Sequence, residues 1–454
     1  MSATEYYTSH RDEFLDGLER FLRIPSISTL PQHKGDIARA AAFLVDELQA
    51  AGLQNTRLIE GEGNPIVSAD WMGAPGKPTV LLYGHYDVQP ADPLNEWASP
   101  PFEPQIRGDD IFARGASDDK GQTYLLLKAV ESLLQGGGEL PVNVKFLIEG
   151  EEETGGELLE EYLKVNGRKV GADAAVVCDT EMFAPELPTL CVGLRGMVYT
   201  EIEVEGPRTD LHSGVYGGVA PNAIQAISEI IAGLKEPSGK VTIQGFYDDV
   251  RPSAQAELSA WARLPFDEPT YLRTEVGSQA LVGEEGFSVL ERIWARPSLD
   301  VHGIRGGFVG EGGKTVIPAR ATAKVSMRLV AEMDPGEVFG KFRQHVESLT
   351  PAGTTVSVRQ LSSAPASAID PGNRFVRTAA RALTEVFAAE TVYIRSGGSI
   401  PVVGLLQEHA GIPSVMMGFG LPDDNIHAPN EKFHLPNFYR GIAAVSRYLE
   451  LLGE

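Results

Sequence analysis

Cysteine is nearly absent: Cys178 and Cys191 are the only two in 454 residues. Two thiols make neither a disulfide framework nor a cysteine-rich zinc site, and such frugality suits a reducing compartment. Positive charge is also scarce. Lys and Arg number 39 against 62 Asp and Glu, a formal charge of −23, which leaves little surplus to neutralise phosphates and argues against nucleic acid and anionic membrane as partners. The acidity itself names no partner, since most of it serves to solvate a large surface. No apolar run approaches the ~20 residues that span a bilayer. Residues 1–17 (MSATEYYTSHRDEFLDG) hold no basic stretch and no apolar stretch of signal-peptide length. A cytoplasmic location is the expectation. Neither a repeat of fixed period nor a low-complexity tract is visible. What is present, 43% hydrophobic and 8% aromatic residues, fits a folded chain, and the length fits two or three domains.

The first half alternates helix and strand patterns. Ile37, Ala40, Ala41, Leu44, Val45 and Leu48 recur at helical spacing after Asp36, the expected N-cap, with Gly52 just past the end. Short apolar runs at 80–83, 144–148 and 174–178 predict buried strands that pass into polar loops, and 120–134 and 157–165 predict the helices between them. Buried strands separated by helices mean an α/β layer with a mostly parallel sheet. After about Arg195 the texture changes to two-residue alternation at 198–204 and 321–329, with an amphipathic helix at 221–234. Residues 236–297 are rich in Pro, Gly and charge and predict no clear element. From Phe375 the α/β texture returns, with a helix at 376–388, an apolar run at 414–417 and a last helix near 437–452. The expected organisation is one α/β domain in two parts, 1–194 and 365–454, interrupted by an inserted α+β domain at 195–364.

Two features are set aside. Residues 307–315 read GFVGEGGKT and end like a phosphate-binding loop, but Phe308 stands where that pattern needs glycine, and Glu311 would repel phosphate. Cys178 ends an apolar strand with no His beside it in sequence and is read as core.

The chemistry lies in four acidic or histidine-bearing loops. Residues 83–87 read YGHYD after an apolar run, so His85 and Asp87, two apart in an extended segment, face one side. A metal-binding imidazole is held in this way, with its second nitrogen bonded to a carboxylate. Residues 115–121 (GASDDKG) bring Asp118 and Asp119, residues 149–155 (EGEEETG) bring Glu151, Glu152 and Glu153, and residues 178–181 (CDTE) bring Asp179. Taken singly, each is an ordinary helix cap, solvated helix start or turn. Three of the four segments nevertheless follow predicted buried strands, where α/β sheets place their ligands. Carboxylates clustered there repel one another and resist desolvation, a conflict that a cation removes. His427, in DDNIHAPN at 423–430, supplies a second imidazole. Two His with several Asp and Glu, and no thiolate, suit Zn²⁺, Mn²⁺ or Co²⁺. Two ions sharing a carboxylate about 3.5–4 Å apart would clamp a hydrolytic water and polarise a carbonyl, with a spare glutamate as base.

These phrases resemble the di-metal peptidase family of carboxypeptidase G, aminoacylase and succinyl-diaminopimelate desuccinylase. The likeness is greatest to the carnosinase and cytosolic nonspecific dipeptidase branch, through YGHYDVQP, RGASDDKGQ, EGEEE, DLHSGVYGG, GGSIPV and HAPNE, spread from Tyr83 to Glu431. The resemblance implies a zinc-peptidase catalytic domain with an inserted lid and dimerisation domain. It implies two divalent ions, zinc above manganese or cobalt, bridged by Asp118. His85 and Asp179 would complete one ion, Glu153 and His427 the other. Asp87 would orient His85, Glu152 would deprotonate the bridging water that attacks the amide carbonyl, and the Asp118–Asp119 peptide would be cis. His212 would stabilise the oxyanion in the other subunit of a homodimer. Arg328 would grip the substrate's C-terminal carboxylate, although its strand position alone reads as solvated, and Thr315 and Ser399 would add contacts. The lid would close before reaction. Three consecutive glutamates leave the register of base and ligand open by one residue; the spacing to Thr154-Gly155 favours Glu152 as base.

The expected function is hydrolysis of dipeptides with a free C-terminal carboxylate. The alternatives are an N-acyl-amino-acid deacylase or carboxypeptidase of the same family, a non-catalytic metal-stabilised peptide-binding protein, and a di-metal phosphoesterase, for which the sequence offers no separate phosphate loop.

Overall fold

A computed structural model describes residues 1–454, which divide into two compact units. The first comprises Met1–Val192, Ile369–Ile394 and Ile400–Glu454, and the second Gly193–Ala368 with Arg395–Ser399. The short segment Arg395–Ser399 thus sits with the inserted part, whereas the sequence pattern places it with the returning α/β part.

The first unit is built on a sheet that is parallel at its centre and antiparallel at its flanks. Its strands run Gln54–Ile59, Ile66–Trp71, Asn143–Glu149, Thr79–His85, Ala174–Val177, Ser414–Met416 and Thr189–Leu194 in spatial order. The three parallel pairings join Thr79–His85 to Asn143–Glu149, Thr79–His85 to Ala174–Val177, and Ala174–Val177 to Ser414–Met416. Every residue of Thr79–His85 is buried, as expected of a central strand covered on both faces. The helix Lys120–Gly137 packs against it and is buried at every position from Lys120 to Leu133. That packing needs Gly84, because a Cβ there would fall 1.9 Å from the Thr123 hydroxyl oxygen.

The sequence-predicted helices form within a few residues of their expected ends. Gly52 adopts φ +101 at the end of Lys34–Ala51, the left-handed cap that glycine provides. Asp36 is not the N-cap of that helix. The turn Pro31–His33 runs straight into Lys34, so the helix starts earlier and Asp36 lies in its first turn, bonded to the His33 ring at 2.7 Å. The edge strand Gln54–Ile59 and its neighbour Ile66–Trp71 carry no strong apolar pattern, and the sequence predicts neither.

The second unit is an antiparallel sheet in the order Ser298–Gly306, Arg320–Leu329, Gly196–Glu205, Thr355–Ala364, packed on the helices Ala223–Gly233 and Pro335–Ser348. Burial in Gly196–Glu205 alternates residue by residue, matching the pattern read from sequence. The unassigned stretch holds the short helices Gln255–Trp261, Glu268–Tyr271 and Val289–Trp294, with Trp261 and Trp294 meeting edge to face at 5.2 Å. Residues 307–315 form an exposed loop that leads into the two-residue strand Val316–Ile317, not into the helix a phosphate loop requires. No helix is long and apolar enough to cross a membrane.

Candidate metal centre

Strand register brings the chemistry together. His85 ends its strand level with Glu149 of one parallel neighbour, and Tyr83 is level with Val177 of the other. The loops that follow these strands therefore leave the sheet side by side, at the edge where open α/β sheets bind ligands. They carry Asp87, Glu152, Glu153 and Asp179. Asp118 arrives from the loop that opens helix Lys120–Gly137, through a cis Asp118–Asp119 peptide. His427 comes from the loop after Ser414–Met416 and adopts φ +60, a left-handed conformation uncommon for a residue with a side chain.

Two ligand groups result. His85, Asp118 and Asp179 each offer one donor atom within 4.8 Å of the others, and so do Asp118, Glu153 and His427. Asp118 belongs to both, with Oδ1 3.1 Å from His85 Nε2 and Oδ2 2.8 Å from His427 Nε2. His427 Nε2 is also 3.3 Å from Glu153 Oε2. The donors fit one or two divalent cations on their own terms: Glu153 Oε1 is buried without a hydrogen-bond partner, and the Asp179 carboxylate accepts no hydrogen bond. Buried carboxylate oxygens in that condition call for a cation.

The neighbours fix these groups. His85 is fully buried, and its Nδ1 lies 3.1 Å from the Asp87 main-chain oxygen and 3.4 Å from the Asp87 carboxylate. The main-chain contact is the hydrogen bond. The Asp87 carboxylate instead accepts the backbone N–H groups of Glu152 and Glu153, both at 3.2 Å, so it holds the turn Glu152–Thr154. Gln89 donates to Glu153 Oε2 at 2.7 Å. Glu151 turns elsewhere and accepts the N–H groups of Asn64 and Leu158 at 2.8 and 3.3 Å. The Glu152 carboxylate has no hydrogen-bond partner, which leaves it as the spare acid of the three.

Crowding shows in the protonation of the cluster. Burial raises Asp179 well above the usual carboxylate range, reinforced by Asp118, Asp119 and Glu152. Burial likewise pushes Glu152 up to about 7, helped by Glu153, Asp118 and Asp87. Burial opposes charge on Asp118, yet hydrogen bonds from His427 and His85 hold it well below that range. Hydrogen bonds to Asp118 and Glu153 raise His427 to about 10. In effect the two imidazolium rings serve as the cations the carboxylates require.

The remaining predicted residues lie in the second unit. His212 is exposed at the start of the turn Ser213–Tyr216, pairs in register with Val316, and accepts the Gly214 N–H on Nδ1 at 3.0 Å. Its Nε2–H therefore points outward as a donor. Thr315 adjoins it, accepting the Ser213 N–H on its main-chain oxygen at 3.1 Å. Arg328 is half-buried rather than solvated. It donates to Ser399 Oγ at 3.2 Å, and Ser399 Oγ donates to the Arg195 main-chain oxygen at 2.6 Å. Neither Arg328 nor Arg195 has a salt-bridge partner.

Comparison with known proteins decides the family. The model of peptidase family M20/M25/M40 matches residues 81–451. The chain belongs to that family. It is 32% identical to a Cys-Gly metallodipeptidase of Candida albicans, over 98% of this chain and 95% of that one. It is 31% identical to the human Beta-Ala-His dipeptidase, over 96% of this chain and 89% of that one. Among solved structures, an M20 family metallo-carboxypeptidase from Sulfolobus solfataricus superposes with a TM-score of 0.86 at 32% identity, covering 97% of this chain and 99% of that one.

Sequence reasoning missed two acids that brace the loops of this cluster. Glu431 is fully buried and accepts from Arg114 Nη1 at 2.7 Å and from the N–H groups of Gly115, Ser117 and Asp118 at 2.9, 3.0 and 3.1 Å. Asp119 accepts the His85 N–H at 3.1 Å and the Thr123 hydroxyl at 2.8 Å. Both stand inside the quoted phrases, but nothing local marks either as the partner of a distant loop.

Proposed function

We propose that this chain is a two-metal dipeptidase that hydrolyses the amide bond of dipeptides bearing a free C-terminal carboxylate. The observation that carries the reading is the pair of ligand groups sharing Asp118 beside the unpartnered Glu152 carboxylate. The names of two relatives, each a dipeptidase, support the substrate class.

His85, Asp118 and Asp179 would hold one ion and Asp118, Glu153 and His427 the other, with zinc the first choice for this N/O donor set and manganese or cobalt also suited. The bound ions supply Lewis-acid polarisation of the scissile carbonyl and make water acidic enough to deprotonate near neutral pH. Glu152 takes the proton from the attacking water and returns it to the leaving amine nitrogen, a task suited to a carboxylate whose environment shifts it towards neutrality. Asp87 keeps Glu152 and Glu153 in place through their backbone N–H groups and braces His85. His212 donates its outward Nε2–H to the carbonyl oxygen as negative charge develops there, in the partner subunit of a homodimer. Arg328, steadied by Ser399, binds the substrate carboxylate, and Thr315 adds a contact. For the homodimer, the support is the edge strand Ser298–Gly306, exposed from Asp300 to Arg305, and the exposed apolar side chains of Val215, Val219 and Val309. Two free, buried cysteines suit a cytoplasmic setting.

The test is a substrate panel with metal-loaded protein: dipeptides, dipeptide amides, longer peptides and N-acetyl amino acids. Cleavage of dipeptides, with their amides resisting, is the expected result. The likeness to a metallo-carboxypeptidase favours a second reading, in which longer peptides are shortened from the C-terminus. Preference for N-acetyl amino acids would make the chain a deacylase, and tight binding without turnover would make it a peptide-binding protein.

A further inference from the structure

Glu431 is out of proportion to a structural acid. It has no exposure, pairs with the equally buried Arg114, and collects three backbone N–H groups from the loop that carries Asp118. It also lies four residues after His427, and its own main-chain oxygen accepts the Ala113 N–H at 3.1 Å. A second tie runs parallel to it, from Ser117 Oγ to Asp424 Oδ2 at 2.8 Å. The two loops being tied are those that bear Asp118 and His427.

The His427 loop needs such a hold. Three of its non-glycine residues, Asn425, His427 and Asn430, have positive φ of 54, 60 and 63 degrees, a conformation that side-chain-bearing residues keep only when their surroundings impose it. The His427 side chain is 54% exposed, so packing does not fix the ring. Asn430 contributes by binding Ala98 N–H and Glu96 O, yet those contacts face residues 96–98 and not Asp118. On its other side Asp118 is anchored separately, because Asp119 is bonded to the His85 N–H and to Thr123. The two ligand groups that share Asp118 thus have different supports.

We infer that Glu431 is a positioning residue that sets Asp118 against His427, and so governs retention of the ion held by Asp118, Glu153 and His427 without governing the one held by His85, Asp118 and Asp179. The inference rests on the two-ion reading above. Partners behind metal ligands typically alter metal affinity by about 10–100-fold, which fixes the size of the effect.

The experiment is a calorimetric zinc titration of metal-free wild type and Glu431→Gln, with far-ultraviolet circular dichroism to establish folding and dipeptide turnover followed against zinc concentration. Wild type should show two sites; fewer than two would overturn the two-ion reading rather than the role of Glu431. In Glu431→Gln the inference predicts one site within about threefold of wild type and the other weakened about 10–100-fold, with kcat recovered at high zinc. Unchanged affinities, equal weakening of both sites, or lost turnover that excess zinc fails to restore would each overturn it. If Glu431→Gln does not fold, Glu431→Asp decides: it keeps the charge but shortens the reach to the N–H groups of Gly115, Ser117 and Asp118 and should weaken the same single site roughly fivefold, and unaltered binding would overturn the inference.

Discussion

The two units treat their polar residues in opposite ways. In the first, the site acids and His85 are buried or half-buried and their carriers are braced by further side chains: Asp87 by the turn it binds, His85 by Asp119, Asp118 by Glu431. In the second, His212 stands exposed with an outward donor, and Arg328 and Arg195 are half-buried cations with no carboxylate paired to them. Crowded, uncompensated negative charge at one set of strand ends asks for cations; unpaired positive charge and a spare N–H donor ask for an anion.

Variants in the two units should therefore fail differently. Glu152→Gln in the first unit should lower kcat by about 10²–10⁴-fold, the usual worth of a general base, while metal analysis still finds two ions; turnover near the wild-type rate would break the contrast at its strongest point. His212→Ala in the second unit should lower kcat by about 10²–10³-fold, the scale of one oxyanion donor, again with metal content intact. A mixed dimer of His212→Ala and Glu152→Gln chains sharpens this, since active sites that borrow His212 from a partner should regain part of the lost activity on mixing. Arg328→Met should act mainly on KM, raising it about 10–100-fold for free dipeptides, as loss of a charged hydrogen bond does, and should narrow the gap between a dipeptide and its amide. An unchanged amide discrimination would remove Arg328 from carboxylate recognition.

The smallest effect is a proton count. The metal-free cluster holds His427 protonated up to about pH 10, through its hydrogen bonds to Asp118 and Glu153, and His85 is likewise raised. A metal takes the neutral rings and the ionised Asp179 carboxylate, which burial raises, so loading at pH 7 should release at least two protons per chain, and metal affinity should rise with pH. Titration calorimetry in buffers of different protonation enthalpy reads the number directly. Release of no protons would mean that the imidazoles are not ligands.

What the sequence revealed follows the same division. The parallel strands were legible because a central strand is apolar at every position, as Thr79–His85 is, and the acids just past them were conspicuous by place. Among the three glutamates the spacing to Thr154-Gly155 favoured Glu152 as base, and their tertiary contacts differ in the same sense, with Glu151 bonded to Asn64 and Leu158 and Glu153 reaching His427. His212, Thr315, Arg328 and Ser399 were reached by resemblance alone, since an exposed loop histidine and an arginine on the polar side of a strand carry no local signature. Residues 236–297 stayed unread because their helices are four to seven residues long, too short to establish a period. The bracing by Glu431 could not be read at all, because it joins positions more than 300 residues apart.

One titration tests the two-metal dipeptidase most directly: metal-free protein, given zinc in steps, with bound metal and dipeptide hydrolysis measured together. The expected result is no turnover in the metal-free protein, full turnover only as the second ion per chain is bound, and loss of turnover on chelation. Hydrolysis by the metal-free protein, or dipeptides left intact when two ions are bound, would contradict it.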